Sequence, residues 1–207
     1  MADFLPGHLY PIVDTDICER HGVDPRDFAA ACLHGGARLL QLRVKAGPSA
    51  SFLALAEALV AVAHPFRATV IVNDRADIAR VAEAGGVHVG QDDLPAGDVR
   101  AVVGGAVVGI STHDQLQVDE AACSPADYIA VGPVFQTATK DTGYSARGLD
   151  LVRYAARTGK PVVAIGGIDL DRAAEVIAAG AASVAVISDL FVGRPEDRVR
   201  EYLRLLG

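Results

Sequence analysis

Along the chain, short runs rich in Val, Ile and Leu alternate with Ala-rich segments whose apolar residues recur at helical spacing. The apolar runs fall at 9–13, 38–43, 69–73, 87–89, 107–111, 128–131, 162–165 and 183–187, each the length of one buried strand. Strands that alternate with helices mark parallel pairing, because a parallel pair needs a crossover connection. Spread over 207 residues the runs recur about every 26, close to the minimum for a βα unit and leaving little chain for a second domain. The pattern predicts an α/β fold with a single domain over 1–207, a small (β/α)8 TIM barrel. An open doubly wound sheet is the alternative, and its dinucleotide-binding form is weakened because no GxGxxG follows the first run.

A weak internal repeat accompanies this order. The segments 33–37, 83–87 and 178–182 each carry Gly where a helix would hand over to a strand. Gly there is expected to take the left-handed conformation that stops a helix. Such turns establish class and say nothing of function.

Composition changes the picture in three places. Lys+Arg 19 against Asp+Glu 26 gives a formal charge of -7, and without a Lys/Arg-rich run the chain lacks the basic field that a nucleic acid requires. Apolar stretches such as 101–110 are about half a bilayer span, and the start at Met1 lacks a basic segment followed by an apolar one, so neither a membrane nor an export signal is expected. Cys18, Cys32 and Cys123 are odd in number and widely spaced, which is read as reduced thiols in a cytoplasmic protein. A twofold homodimer is the base-rate expectation for assembly.

In a barrel of this kind chemistry sits at the carboxyl ends of the strands, and polar residues collect there. After the second run, period 2 puts Gln41, Arg43 and Lys45 on one side and Leu40, Leu42 and Val44 on the other. Parallel strands covered by helices have no wet face, so the polar row is expected at the barrel mouth. The third run ends in Asn73-Asp74, and the fourth leads to Asp93. Two carboxylates on adjacent strand ends suit Mg²⁺ with water and phosphate oxygens, or each Asp is a helix N-cap. The sixth unit carries Thr137, Thr139 and Lys140; the seventh has Gly166-Gly167, and the eighth Ile187-Ser188, where this fold commonly holds phosphate. Lys45, Lys140 and Lys160 are the only lysines, and Lys160 is expected on the opposite, structural face without a functional role. Against a net acidic chain, Arg43, Lys45, Lys140 and a metal would have to cluster to hold an anion.

The ordered motifs resemble one family across essentially the whole chain: Gln41-Leu42-Arg43-Val44-Lys45, Val72-Asn73-Asp74, 86–95, Gly109-Ile110-Ser111-Thr112-His113, 127–135, Thr137-Ala138-Thr139-Lys140 and 163–168 look like thiamine-phosphate synthase. The resemblance implies a transferase that joins 4-amino-5-hydroxymethyl-2-methylpyrimidine diphosphate to 4-methyl-5-(2-phosphooxyethyl)thiazole, with Mg²⁺ as cofactor. Carried over by motif, it implies Gln41, Arg43, Lys45, Asn73, Ser111 and Lys140 at the pyrimidine diphosphate, with Lys140, Arg43, Lys45 and Ser111 catalytic. Asp74 and Asp93 would hold the metal, and Thr137, Thr139, Gly167, Ile187 and Ser188 the thiazole phosphate. His88 lies in a family motif and reads equally as a packed or a catalytic histidine.

Two departures stand out: Gln136 where the family usually has Pro, and Asp189 after Ser188, whose carboxylate strand alternation turns outward. Related thiazole tautomerases are the nearest rival, and Asn73, Asp74, Asp93 and Lys140 together favour the transferase. A sugar-phosphate isomerase would need a Glu or Cys base at a strand end, and none is seen; a noncatalytic phosphometabolite-binding barrel is the other class.

Overall fold

The computed structural model describes residues 7–137 and 144–207. The chain runs β1 (Leu9–Asp14), α1 (Thr15–Arg20), α2 (Pro25–Gly35), β2 (Leu39–Arg43), α3 (Ser49–Ala63), a 3₁₀ turn (His64–Phe66), β3 (Thr69–Asn73) and α4 (Ala76–Val81). It continues with β4 (Gly86–Val89), α5 (Ala96–Val103), β5 (Val107–Thr112), α6 (Gln115–Cys123), β6 (Tyr128–Val131), α7 (Gly148–Ala156) and β7 (Val162–Ile165). Then follow α8 (Leu170–Ala178), β8 (Ser183–Val186), a second 3₁₀ turn (Ser188–Phe191) and α9 (Pro195–Leu206). The strands pair in parallel in chain order, and β8 returns to β1 to close the barrel, which excludes the open sheet.

Closure sorts the strand side chains by parity. Leu40, Leu42, Val70, Val72, Val87 and Val89 face outward into the layer shared with the helices. Tyr10, Ile12, Leu39, Ile71, Tyr128, Ala130, Val163 and Ala185 fill the barrel itself. Both layers are dry because each strand is covered on both faces. Truncating a fully buried residue such as Leu42 to Ala would cost about 2–5 kcal/mol.

Helix starts follow short-range chemistry. Asp14, Asp24, Asp114 and Asp169 each cap a helix by accepting backbone N–H groups, and Pro25 adds a preset first turn to α2. The glycine expectation holds at Gly36 (φ 113) and Gly180 (φ 107) but not in the middle repeat. There Glu83 takes the left-handed conformation (φ 52), and Gly85 and Gly86 serve close packing instead. A Cβ on Gly85 would lie 2.5 Å from the Thr69 side chain, and one on Gly86 2.3 Å from the Val107 carbonyl oxygen.

The expectation that no segment reaches bilayer length needs correcting. Ser49–Phe66 forms 18 helical residues of mean hydropathy 1.5. Its position settles its role: it is the crossover between the neighbouring strands β2 and β3, and it seats Phe52, Ala56, Leu59 and Ala63 on the barrel.

The opposite, amino-terminal face is tied by Lys160, whose Nζ donates to the carbonyls of Ser124 (2.7 Å) and Ala126 (2.5 Å). Partial burial holds its pKa below the usual lysine range. This is the structural face on which the sequence placed it.

Candidate active site

The carboxyl ends of the strands surround a cavity of about 450 Å³, a size that accommodates small organic ligands. Gln41, Arg43, Asn73, Ser111, Thr137, Gly167, Ile187 and Ser188 all line it. Residues expected at six different strand ends therefore share one space. Thr139 and Lys140 lie outside the described residues.

Lys45 and the two aspartates do not line that cavity. Lys45 lies past the last ladder residue of β2, where the pleat no longer dictates direction, and its ammonium sits 3.8 Å from Asp74 Oδ2. Asp74 leaves β3 with φ 65, and its N–H donates to the His88 carbonyl at 2.7 Å, fixing it where β3 and β4 end side by side. Asp93 folds back on its own loop, Oδ2 accepting from the Gly90 N–H at 2.7 Å. The capping alternative is not realised: the cap positions of α4 and α5 are Arg75 and Pro95, neither with a side-chain bond. The two carboxylates thus lie past the ends of neighbouring strands, and neither caps the helix that follows it.

Arg43 is anchored from an unexpected direction. Its guanidinium pairs with Asp14 at the end of β1, and both side chains are nearly buried. Asp14 uses Oδ1 to cap α1 and Oδ2 to hold Arg43. Among the described residues Arg43 Nε is buried without a hydrogen-bond partner, a donor that an anion in the cavity would satisfy. The sequence reading missed Asp14, although it obeys the same rule as Asp74, a polar residue where an apolar run stops. Arg43 and Lys45, the described cations expected to cluster here, thus each face a carboxylate.

The barrel interior carries a polar chain that the sequence reading also missed, apart from its two ends and His88. Gln41 Nε2 donates to Tyr10 Oη at 3.2 Å, Tyr10 and Tyr128 hydroxyls lie 3.3 Å apart, and Tyr128 Oη is 2.9 Å from His88 Nδ1. His88 Nε2 is 2.8 Å from Ser111 Oγ. Burial pushes both phenols above the usual tyrosine range, so each keeps its proton. Gly109 makes room for this chain, since a Cβ there would fall 2.0 Å from the Tyr128 ring. Inward parity on β1 and β6 was the available signal. His88 is therefore packed and hydrogen-bonded at both ring nitrogens.

At the other end of the cavity, Gly166 (φ 102) and Gly167 (φ 63) lie against the loop after β6. Added Cβ atoms would meet Pro133 at 2.6 Å and the Gln136 carbonyl at 2.5 Å, so packing and backbone both require glycine. Arg172, unflagged in the sequence, lines the cavity, bonds the Gly167 carbonyl at 2.9 Å and lies over Phe135. His113, also lining it, stacks on Tyr144 at 4.1 Å. Asp189 touches the cavity edge, but its carboxylate turns away. Arg198 grips it at 2.9 and 3.0 Å and Tyr202 at 2.6 Å. The outward direction is as expected, produced by a 3₁₀ turn rather than by strand alternation.

Comparison with known proteins now adds to this geometry. The family model described as "Thiamine monophosphate synthase" matches residues 9–190. A thiamine-phosphate synthase of Koribacter versatilis is 43% identical over 205 residues, covering 96% of this chain and 95% of the relative. One from Mycobacterium avium is 45% identical over 199 residues, covering 90% and 87%. The solved thiamine phosphate pyrophosphorylase from Pyrococcus furiosus superposes with a TM-score of 0.88 at 29% identity, covering 96% of this chain and 95% of that one. With the strand-end residues already gathered in one cavity, this match along the barrel makes the chain a member of the thiamine monophosphate synthase family, transferases of thiamine biosynthesis.

Proposed function

We propose that this cavity joins 4-amino-5-hydroxymethyl-2-methylpyrimidine diphosphate to 4-methyl-5-(2-phosphooxyethyl)thiazole, yielding thiamine phosphate and diphosphate. The observation that carries the reading is the convergence of Gln41, Arg43, Asn73 and Ser111 with Gly167, Ile187 and Ser188 on one cavity, polar groups at one end and a glycine-lined cup at the other. Gln41, Asn73 and Ser111 orient the pyrimidine. Arg43, through its unpartnered Nε, takes the diphosphate together with Lys45 and Lys140. Thr137, Thr139, Gly167, Ile187 and Ser188 hold the thiazole phosphate.

Asp74 and Asp93 would hold Mg²⁺, which when bound supplies positive charge for the departing diphosphate. That charge is needed because Asp14 and Asp74 already offset Arg43 and Lys45. The bond from the methylene carbon to the diphosphate oxygen breaks with its electron pair on oxygen. The resulting pyrimidine-methylene cation, stabilised by the ring amino group, accepts the lone pair of the thiazole nitrogen. That nitrogen bears no proton, so no residue must act as a base. The 207 residues work as one TIM-barrel domain, and the free thiols Cys18, Cys32 and Cys123 support a reducing cytoplasmic setting. A homodimer rests on base rates alone.

Purified protein given both substrates and Mg²⁺ is expected to release thiamine phosphate and diphosphate in equal amounts, and chelation is expected to stop it. No product with or without added metal overturns the reading. Lys140→Ala is expected to raise the barrier by about 2–4 kcal/mol while leaving thiazole affinity nearly unchanged.

A further inference from the structure

Four hydrogen bonds link Gln41 to Ser111 through Tyr10, Tyr128 and His88, at 3.2, 3.3, 2.9 and 2.8 Å. Both tyrosines are 1% exposed and His88 7%, and their polar atoms bond one another in the cavity wall. A phenol has one proton to give, and a neutral imidazole one N–H and one lone pair. When each interior member donates along the chain, only two arrangements are consistent. In the first, the Gln41 amide donates to Tyr10, Tyr10 to Tyr128, Tyr128 to His88 Nδ1, and His88 Nε2–H to Ser111. Gln41 Oε1 then remains to accept from a ligand, and the Ser111 hydroxyl remains to donate. In the second, every bond is reversed, Gln41 offering donors and Ser111 a lone pair. A mixed arrangement either makes one phenol oxygen accept from both neighbours, turning its own O–H out of the chain, or puts a charged, doubly protonated imidazole in a largely buried place, and both are costly.

We propose that Tyr10, Tyr128 and His88 are positioning residues that tie the hydrogen-bond polarity of Gln41 to that of Ser111, so the cavity selects a heterocycle presenting one donor and one acceptor to this pair. This deepens the function proposed above and rests on it for Gln41 and Ser111 as pyrimidine contacts. An amino group and a ring nitrogen satisfy the requirement; a ring offering two acceptors or two donors leaves one end of the chain mismatched. The three residues line the cavity wall between Gln41 and Ser111, and the polarity is transmitted through the bonds they share.

The test is a pair of double-mutant cycles. kcat/KM for the pyrimidine diphosphate is measured for Gln41→Ala, Ser111→Ala and the double variant, first in the native background and then with Tyr128→Phe. In the native background the double variant should depart from the product of the single effects by at least about fivefold, whereas with the chain cut the effects should multiply to within about twofold. Tyr128→Phe alone should raise KM for the pyrimidine substrate about tenfold and leave KM for the thiazole phosphate unchanged. Tyr10→Phe cuts the chain at another link and should give the same pattern, which guards against a folding defect in either variant. Independent effects in the native background, or coupling that survives both Phe variants, overturns the proposal. Absence of turnover in the native protein would instead sink the functional reading, and the same cycles are then read from calorimetric affinity for the pyrimidine diphosphate alone.

Discussion

Replacing Arg198 by Met would strand a carboxylate beside the glycine-lined end of the cavity. In the native fold Asp189 accepts from Arg198 Nε at 2.9 Å and Nη2 at 3.0 Å, and from the Tyr202 hydroxyl at 2.6 Å. The two charged side chains are only 14% and 16% exposed, so water cannot replace the lost guanidinium. Breaking a buried pair from one side costs about 3–5 kcal/mol, because the remaining charge is uncompensated. The Arg198 bond to Glu201, on the solvent side, adds little to that figure. Urea denaturation should show the loss directly. At about 3 kcal/mol, the melting temperature of a protein this size should fall by roughly 6–12 °C. Asp189 follows Ser188, so a freed carboxylate should also repel the thiazole phosphate and raise its KM, leaving KM for the pyrimidine diphosphate unaltered. Adding Asp189→Asn to the Met variant should restore most of both losses. A stability change under about 1 kcal/mol with no selective effect on the thiazole phosphate would refute the argument that this pair keeps the cup free of negative charge.

Three further outcomes are expected. Gly109→Ala forces a Cβ to within 2.0 Å of the Tyr128 ring, and overpacking of this kind should cost about 1–3 kcal/mol in urea denaturation, with a larger fractional loss of kcat/KM than of stability. Lys160→Met removes the donor to the Ser124 and Ala126 carbonyls on the far face, so unfolding should become easier by about 1–3 kcal/mol with kcat unchanged. Asp74→Asn should lower kcat at least about 100-fold and shift the Mg²⁺ dependence to higher concentration, measured by product formation over a metal titration.

Much of the scaffold was legible because it is written in local periodicity. The parity of Leu40 and Leu42 against Gln41 and Arg43 appears unchanged in the barrel, since the pleat alternates faces whatever the strand's neighbours are. Legibility ended where the ladder did. Lys45 looked like the next member of the polar row, yet beyond Arg43 no pairing holds the alternation, and the side chain swings to Asp74. Asp14 was passed over because its importance lies in β1 meeting β2, a pairing absent from any local window. Gly85 and Gly86 resembled a helix stop, while their real constraint is contact with Thr69 and Val107 on adjoining strands.

The sequence by itself determined the order of elements, which face of each strand is apolar, the polar residues available at the strand ends, and through their motifs the family. These follow from covalent geometry and side-chain chemistry over a few residues. Only the tertiary structure decided which of those polar residues share a space. Tyr10 and Tyr128 are 118 positions apart and meet only because closure brings β1 and β6 to face one another across the barrel. The pairing of β1 with β2 sets Arg43 on Asp14, and the packing of α9 on the second 3₁₀ turn brings Arg198 to Asp189, since partners for buried charges are assigned by register and packing.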